Sequence, residues 1–178
     1  MGYEALYIFI EGPDDQRFFE KIILPLIKDK YTHIEFYPYA QEKPEKVCSF
    51  LKSIKSMREK KIADYYLISD MDNNPCISST KEYVKHRFST CEVNKIIVVI
   101  KEIECWYLAG AEDTFLKKHR IISYGDTCNL KKEDFCKIMP QNFSSRTDFM
   151  IEILKYFSLE KAKDNNKSFN YIMNIISS

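Results

Sequence analysis

The chain has 178 residues, 45% of them hydrophobic, with 12 Tyr and 12 Phe. That content is enough to bury a substantial core and excludes an intrinsically disordered segment. A net charge of +1 excludes a uniformly basic surface, so any nucleic-acid contact would have to come from local patches.

In chain order, "ALYIFIEG" predicts a strand rich in β-branched and aromatic residues and stopped by Gly12. "PDDQRFFEKIILPLIKD" predicts a helix. Pro13 suits its first turn, and Asp14 and Asp15 suit the positive end of its dipole. Phe18, Phe19, Ile22, Ile23 and Leu26 form its apolar face, and Pro25 is expected to kink it or end its regular part. "HIEFYPYA" is a second strand, near an edge because of Pro38. "KPEKVCSFLKSIKSMREKK" is a second helix with Val47, Phe50, Leu51 and Ile54 inward. "DYYLISD" is a third strand. "SSTKEYVKHRFST" is a third helix, capped by Ser78, Ser79 or Thr80. "IIVVI" opens a fourth, strongly apolar strand, and "ECWYLAG" beyond it is able to turn into a helix. From Glu112 onward the pattern is helical and ends in the amphipathic "SFNYIMNII".

Strands alternating with helices, with apolar central strands, point to an α/β fold. Its mostly parallel sheet of about four strands is covered on both faces, and a helical C-terminal part follows. No apolar run reaches the roughly 18 residues of a membrane span. The start carries no signal-peptide pattern, so a cytoplasmic location is expected. Six cysteines form no CxxC pair, and His33, His86 and His119 complete no zinc spacing. Reduced, mostly buried thiols are expected.

Parallel sheets bind ligands at the carboxyl ends of their strands, and acids stand there. Glu11 follows the first strand, Asp70 and Asp72 the third, Glu102 and Glu104 the fourth. Residues two apart on a strand point the same way, so each pair converges if the extended conformation persists. Converging carboxylates repel one another, and Mg²⁺ or Mn²⁺ relieves that repulsion. Each acid also has a plainer role: Asp70 and Asp72 in a turn, Asp14 and Asp15 at a helix start, Glu102 and Glu104 at a solvated strand end. The set as a whole favours a metal site, because independent turns have no reason to place acids along one sheet edge.

"IFIEGPDD" followed by "YYLISDMD" resembles the Toprim domain of topoisomerases, primases, small RNA-maturation nucleases and OLD-type nucleases. Its signature is a Glu after the first strand and a DxD after a later one, here Glu11 and Asp70-Met71-Asp72. The resemblance implies a three-layer, Rossmann-like Toprim core over 1–110, with 111–178 as a helical extension packed on the same domain. Glu11 and Asp15 satisfy the ExxxD form seen in the nuclease branch. "KEIECWYL" is similar to a third segment of OLD-like and phage-defence members, which makes Glu104 a further acidic site residue. The resemblance implies a small stand-alone member, working alone or with a separate ATPase partner.

The implied activity is Mg²⁺- or Mn²⁺-dependent hydrolysis of nucleic-acid phosphodiesters. Asp70, Asp72, Asp15 and Glu104 would hold metal, with Glu11 as ligand or general acid/base. The nuclease branch also uses a basic residue near the site, for which Lys101 and Lys167 are candidates. Lys55, Arg58, Lys60 and Lys61, and Lys117, Lys118 and Arg120, are candidate backbone contacts or ordinary solvated helix faces. Trp106 and Tyr107 either stack on a base or pack in the core. A dehalogenase-type phosphatase would carry its DxD after the first strand, and a nucleotide-sugar transferase would leave Glu11 and Asp15 unexplained. A non-catalytic, metal-binding regulatory subunit is the alternative outside enzymes.

Overall fold

The computed structural model describes residues 3–177. It divides into two compact units, Met1–Val98 and Val99–Ser178.

The first unit is built on four strands: β1 (Ala5–Ile10), β2 (His33–Pro38), β3 (Ala63–Asp70) and β4 (Ile96–Val99). They form one sheet in the order β2-β1-β3-β4. β1 pairs in parallel with both neighbours, Ile8 facing Phe36 on one side and Tyr66 on the other. The fold is α/β, three-layered and Rossmann-like, with a parallel sheet, as the alternation of elements predicts. β2 is an edge strand, which accommodates Pro38. β1 and β3 are nearly buried throughout.

The first crossover departs from a regular helix in an instructive way. α1 (Pro13–Phe18) and α2 (Leu24–Ile27) are joined by a π-helical stretch, Phe19–Ile23. Pro25 has no N–H to give the Lys21 carbonyl, and the wider π turn absorbs that mismatch. The inserted residue also shifts the buried face. Ile27 is buried and Leu26 is 41% exposed, the reverse of what unbroken helical spacing predicts.

α3 (Pro44–Glu59) buries Val47, Leu51 and Ile54. Phe50 packs 5.1 Å from both Tyr7 and Tyr37. α4 (Ile77–Arg87) is capped at Cys76, whose N–H donates to Ser79 Oγ at 3.3 Å. Ser79 therefore serves from the third helical position.

The second unit is helical. α5 (Glu104–Ala109) is followed by α6 (Asp113–Lys118), α7 (Lys132–Ile138), α8 (Arg146–Lys155), α9 (Leu159–Asn165) and α10 (Lys167–Ser177). Its core holds Trp106, Tyr107, Phe115, Phe135, Phe149 and Phe169. Trp106 and Tyr107 are fully buried, so they pack and do not present a face to a base. Asn166 ties the unit together. Its Oδ1 accepts the Ser168 and Phe169 N–H groups at 3.1 and 3.0 Å, and its Nδ2 donates to Thr127 Oγ1 at 3.0 Å. Ser168 Oγ in turn accepts the Trp106 indole N–H at 2.8 Å.

Among the described residues no helix is long and apolar enough to cross a membrane. All six cysteines are reduced. Cys91, Cys105 and Cys128 are buried, while Cys76 and Cys136 are exposed, so burial covers half of them and not most.

Candidate metal centre at the sheet edge

The chain enters the sheet at β1, moves to β2 on one side, and returns to β3 on the other. Strand order therefore reverses between β1 and β3. Neighbouring connections leave in opposite directions there and open a crevice at the carboxyl ends. Glu11 is the first residue after β1, and Asp70 is the last residue of β3.

Register brings the two ends together. Phe9 faces Leu67, which sets Glu11 beside Ser69. Glu11 Oε1 accepts the Asp70 N–H at 3.1 Å and lies 3.1 Å from Ser69 Oγ. The Tyr39 hydroxyl stands 3.1 Å from the same oxygen and 2.8 Å from the Ile68 carbonyl, so its single proton serves one or the other. These donors fix the Glu11 carboxylate in place. Burial nevertheless pushes its pKa above the usual carboxylate range; the three hydrogen bonds pull it back only in part, and Asp72 adds repulsion. Burial likewise pushes the Tyr39 phenol far up, with Glu11 repelling its anion.

Glu11, Asp70 and Asp72 line one cavity of about 100 Å³ together with Tyr39, Ser69, Asn74, Tyr83 and Arg87. The convergence of Asp70 and Asp72 is real, but its cause is not an extended strand. β3 ends at Asp70, and Asp72 is left-handed with φ 47°. Asp tolerates that region better than most residues, and the bend turns Asp72 back towards the cavity that Glu11 also lines.

Asp15 is 95% buried, and its Oδ2 accepts the Gly12 N–H at 2.9 Å. It closes the first turn of α1, the plainer of its two roles, and is absent from the described residues that line the cavity.

The other candidates lie in the second unit. β4 ends at Val99, Lys101 is left-handed with φ 64°, and Glu104 opens α5. Glu102 and Glu104 therefore do not share a strand face. Glu102 Oε2 accepts the Lys132 N–H at 2.5 Å, at the start of α7. Glu104, 4% exposed, is ion-paired with Arg146 at the start of α8. Burial raises the Glu104 pKa, and Arg146 offsets part of that rise. Lys167 opens α10 and is exposed.

Of the basic candidates, Arg58 makes a two-pronged contact with Glu92. It stands 3.9 Å from Asp64 at the start of β3. Lys55 also reaches Glu92, at 3.7 Å. Lys60 and Lys61 are exposed just before β3. Asp64 and Asp70 are six residues apart on one strand, about 20 Å, so this run sits at the opposite end of the sheet from the acids. Lys117, Lys118 and Arg120 belong to α6 and the turn after it.

Tyr39, Ser69 and Arg87 escape sequence reasoning. Tyr39 follows the second strand as Glu11 follows the first, the one signal that marks it.

Hard carboxylate oxygens on a cavity of this size suit Mg²⁺ or Mn²⁺, which use one or two carboxylates, water and substrate oxygens. Among the described residues no three His, Cys, Asp or Glu side chains are grouped so that they could together hold a metal ion, so a Mg²⁺ here would rest on one or two carboxylates, water and substrate oxygens.

No family model matches the chain, and neither a curated protein nor a solved structure matches it.

Proposed function

We propose that the chain is a Mg²⁺- or Mn²⁺-dependent hydrolase of nucleic-acid phosphodiesters, with its centre at Glu11, Asp70 and Asp72. One observation carries the reading: these three carboxylates line a single cavity at the point where strand order reverses, against one guanidinium, that of Arg87. A cation removes the repulsion that this grouping costs the folded chain. The Glu-Gly after β1 and the Asp-Met-Asp at the end of β3 fit the Toprim resemblance.

Asp70 and Asp72 would hold the metal, which supplies a more acidic bound water and polarises the phosphoryl oxygens. Glu11 is the group for proton transfer. Its raised pKa keeps it nearer to neutral operation than an exposed carboxylate. It takes the proton that water loses as the water oxygen bonds to phosphorus, while the bond from phosphorus to the leaving oxygen breaks. The Asp70 N–H and the Ser69 hydroxyl hold Glu11 in position for that exchange.

The test is cleavage of labelled single- and double-stranded DNA and RNA with Mg²⁺, Mn²⁺ or EDTA, beside Asp70→Ala/Asp72→Ala. Metal-dependent cutting by wild type that disappears in the variant supports the reading. Equal cutting by both, or none by a folded wild type under every condition, overturns it. The second result leaves a binding subunit that acts through a partner.

A further inference from the structure

A second, more open concavity of about 530 Å³ adjoins the acid cavity in the first unit. It is lined by Pro44, Glu45, Cys48, Ser49 and Lys52 of α3 and by Ser89 and Thr90 after α4. Arg87 lines both hollows and forms their common wall. Two cations stand against the single carboxylate of Glu45, whereas the acid cavity sets three carboxylates against the same Arg87.

Three details make this groove more than a solvated surface. One Arg87 N–H donates to the Ala40 carbonyl at 3.1 Å, and the guanidinium lies 4.9 Å over the Phe88 ring. That fixes the fork while its other donors meet no acceptor among the described residues. Lys52 likewise has no ion-pair partner among them, in contrast to Arg58 and Lys95 at the other end of the sheet. At the mouth of the acid cavity, Tyr83 is 56% exposed, a large aromatic face held on a helix.

We propose that this groove holds the phosphodiester backbone of a single nucleic-acid strand entering the acid cavity. Arg87 takes the phosphate next to the scissile one, Lys52 takes a further phosphate, and the ring of Tyr83 stacks on a base. The chemistry follows from the side chains. A planar fork suits paired phosphate oxygens, a lysine suits a point contact, and an exposed aromatic on the same path suits an unpaired base, whose face a duplex would hide. The inference rests on the phosphodiester reading of the acid cavity, but its test does not use cleavage.

The measurement is fluorescence anisotropy of labelled single-stranded DNA and RNA and of duplex DNA, in EDTA, over a range of salt. Removing metal isolates the groove, and each lost phosphate contact lowers the salt slope for a single strand by about 0.7. Arg87→Ala is expected to weaken single-strand binding about tenfold and to reduce the slope, with Arg87→Lys intermediate. Lys52→Ala should weaken it less, with a similar change of slope. Tyr83→Ala should weaken it about fivefold with the slope unchanged, since stacking carries no charge. Lys60→Ala/Lys61→Ala, at the far end of the sheet, should change nothing. Single strands should also slow alkylation of Cys48, mapped by mass spectrometry.

Wild-type affinity and slope in both Lys52→Ala and Arg87→Ala would overturn the proposal. So would a larger loss in the Lys60/Lys61 variant, tighter binding of duplex than of single strands, or no binding by wild type. Failure of the acid-cavity reading shows elsewhere, as a cleavage assay indifferent to Asp70 and Asp72.

Discussion

β3 carries an aspartate near each end, and the two are treated differently. At its start, Asp64 lies 2.5 Å from Lys95 and 3.9 Å from Arg58. Arg58 also grips Glu92 and lowers its pKa through that hydrogen bond. Acids and bases are matched there, and the cluster pins α3 and the approach to β4 onto the sheet. At the other end, Asp70 shares its cavity with Glu11 and Asp72, and Arg87 is the one cation among the described lining residues. Balanced charge at Asp64 makes a structural contact, whereas the grouping of Glu11, Asp70 and Asp72 along one cavity is the ground for the proposed cation site. The second unit repeats the structural solution in the Glu104–Arg146 pair.

Removing charge at each end of β3 in turn should give opposite outcomes. Asp70→Asn/Asp72→Asn should abolish metal-dependent cleavage, a loss of a hundredfold or more by about the magnitude seen for lost electrostatic groups, while the fold stays intact. Asn is the choice at position 72 because it tolerates the left-handed backbone. Circular dichroism and cleavage measured together check this; an unfolded variant, or one that cuts normally, would count against the account.

At the matched end the effects should be reversed. Arg58→Ala leaves Glu92 and Asp64 short of a partner and should cost about 1–2 kcal/mol, since the pair is a quarter exposed and partly screened. Any strand cleavage should be unaffected once the protein is folded. Denaturant melts and the cleavage assay separate these outcomes.

Glu11→Gln sharpens the contrast. Gln keeps an oxygen to accept the Asp70 N–H and removes a buried charge. The melting temperature without metal should hold or rise by about 2–4 °C, while cleavage is lost. The pH dependence follows. A carboxyl whose folded pKa lies above its unfolded value binds its proton more tightly in the native state. Its ionisation therefore costs stability as pH rises from the unfolded pKa through the folded one. The advantage of Gln should be present near neutral pH and fade as pH falls below the ordinary Glu range. A constant difference across pH would contradict this.

The smallest change in strand binding is expected in the second unit, where the effect is one of packing and falls on stability alone. A Cβ on Gly110 would come within 2.3 Å of the Phe157 ring, so Gly110→Ala should cost about 1–3 kcal/mol and leave strand binding untouched.

Much of this was legible in the sequence, and the gaps have physical causes. Runs rich in β-branched and aromatic residues mark all four strands, the first stopped by Gly12, and acids at their ends mark Glu11 and Asp70. Leu26 and Ile27 exchange places because a π turn adds a residue that spacing alone does not register. Asp72 reaches the cavity through a left-handed bend, which a two-residue strand repeat does not describe. Glu102 and Glu104 stand after the strand has ended, and there serve helix starts. Tyr39, Ser69 and Arg87 were hidden because their proximity to the acids arises from strand pairing and helix docking, not from local pattern.

If Glu11, Asp70 and Asp72 form a divalent-cation site, as proposed, the cation should stabilise the folded chain through them. The most direct measurement is the melting temperature of the wild type and of Asp70→Asn/Asp72→Asn across Mg²⁺ and Mn²⁺ concentrations at neutral pH. Ligand binding to the native state alone raises stability with concentration. A saturable rise is expected for the wild type and none for the variant. A wild type indifferent to both ions, or a variant that responds equally, would contradict it.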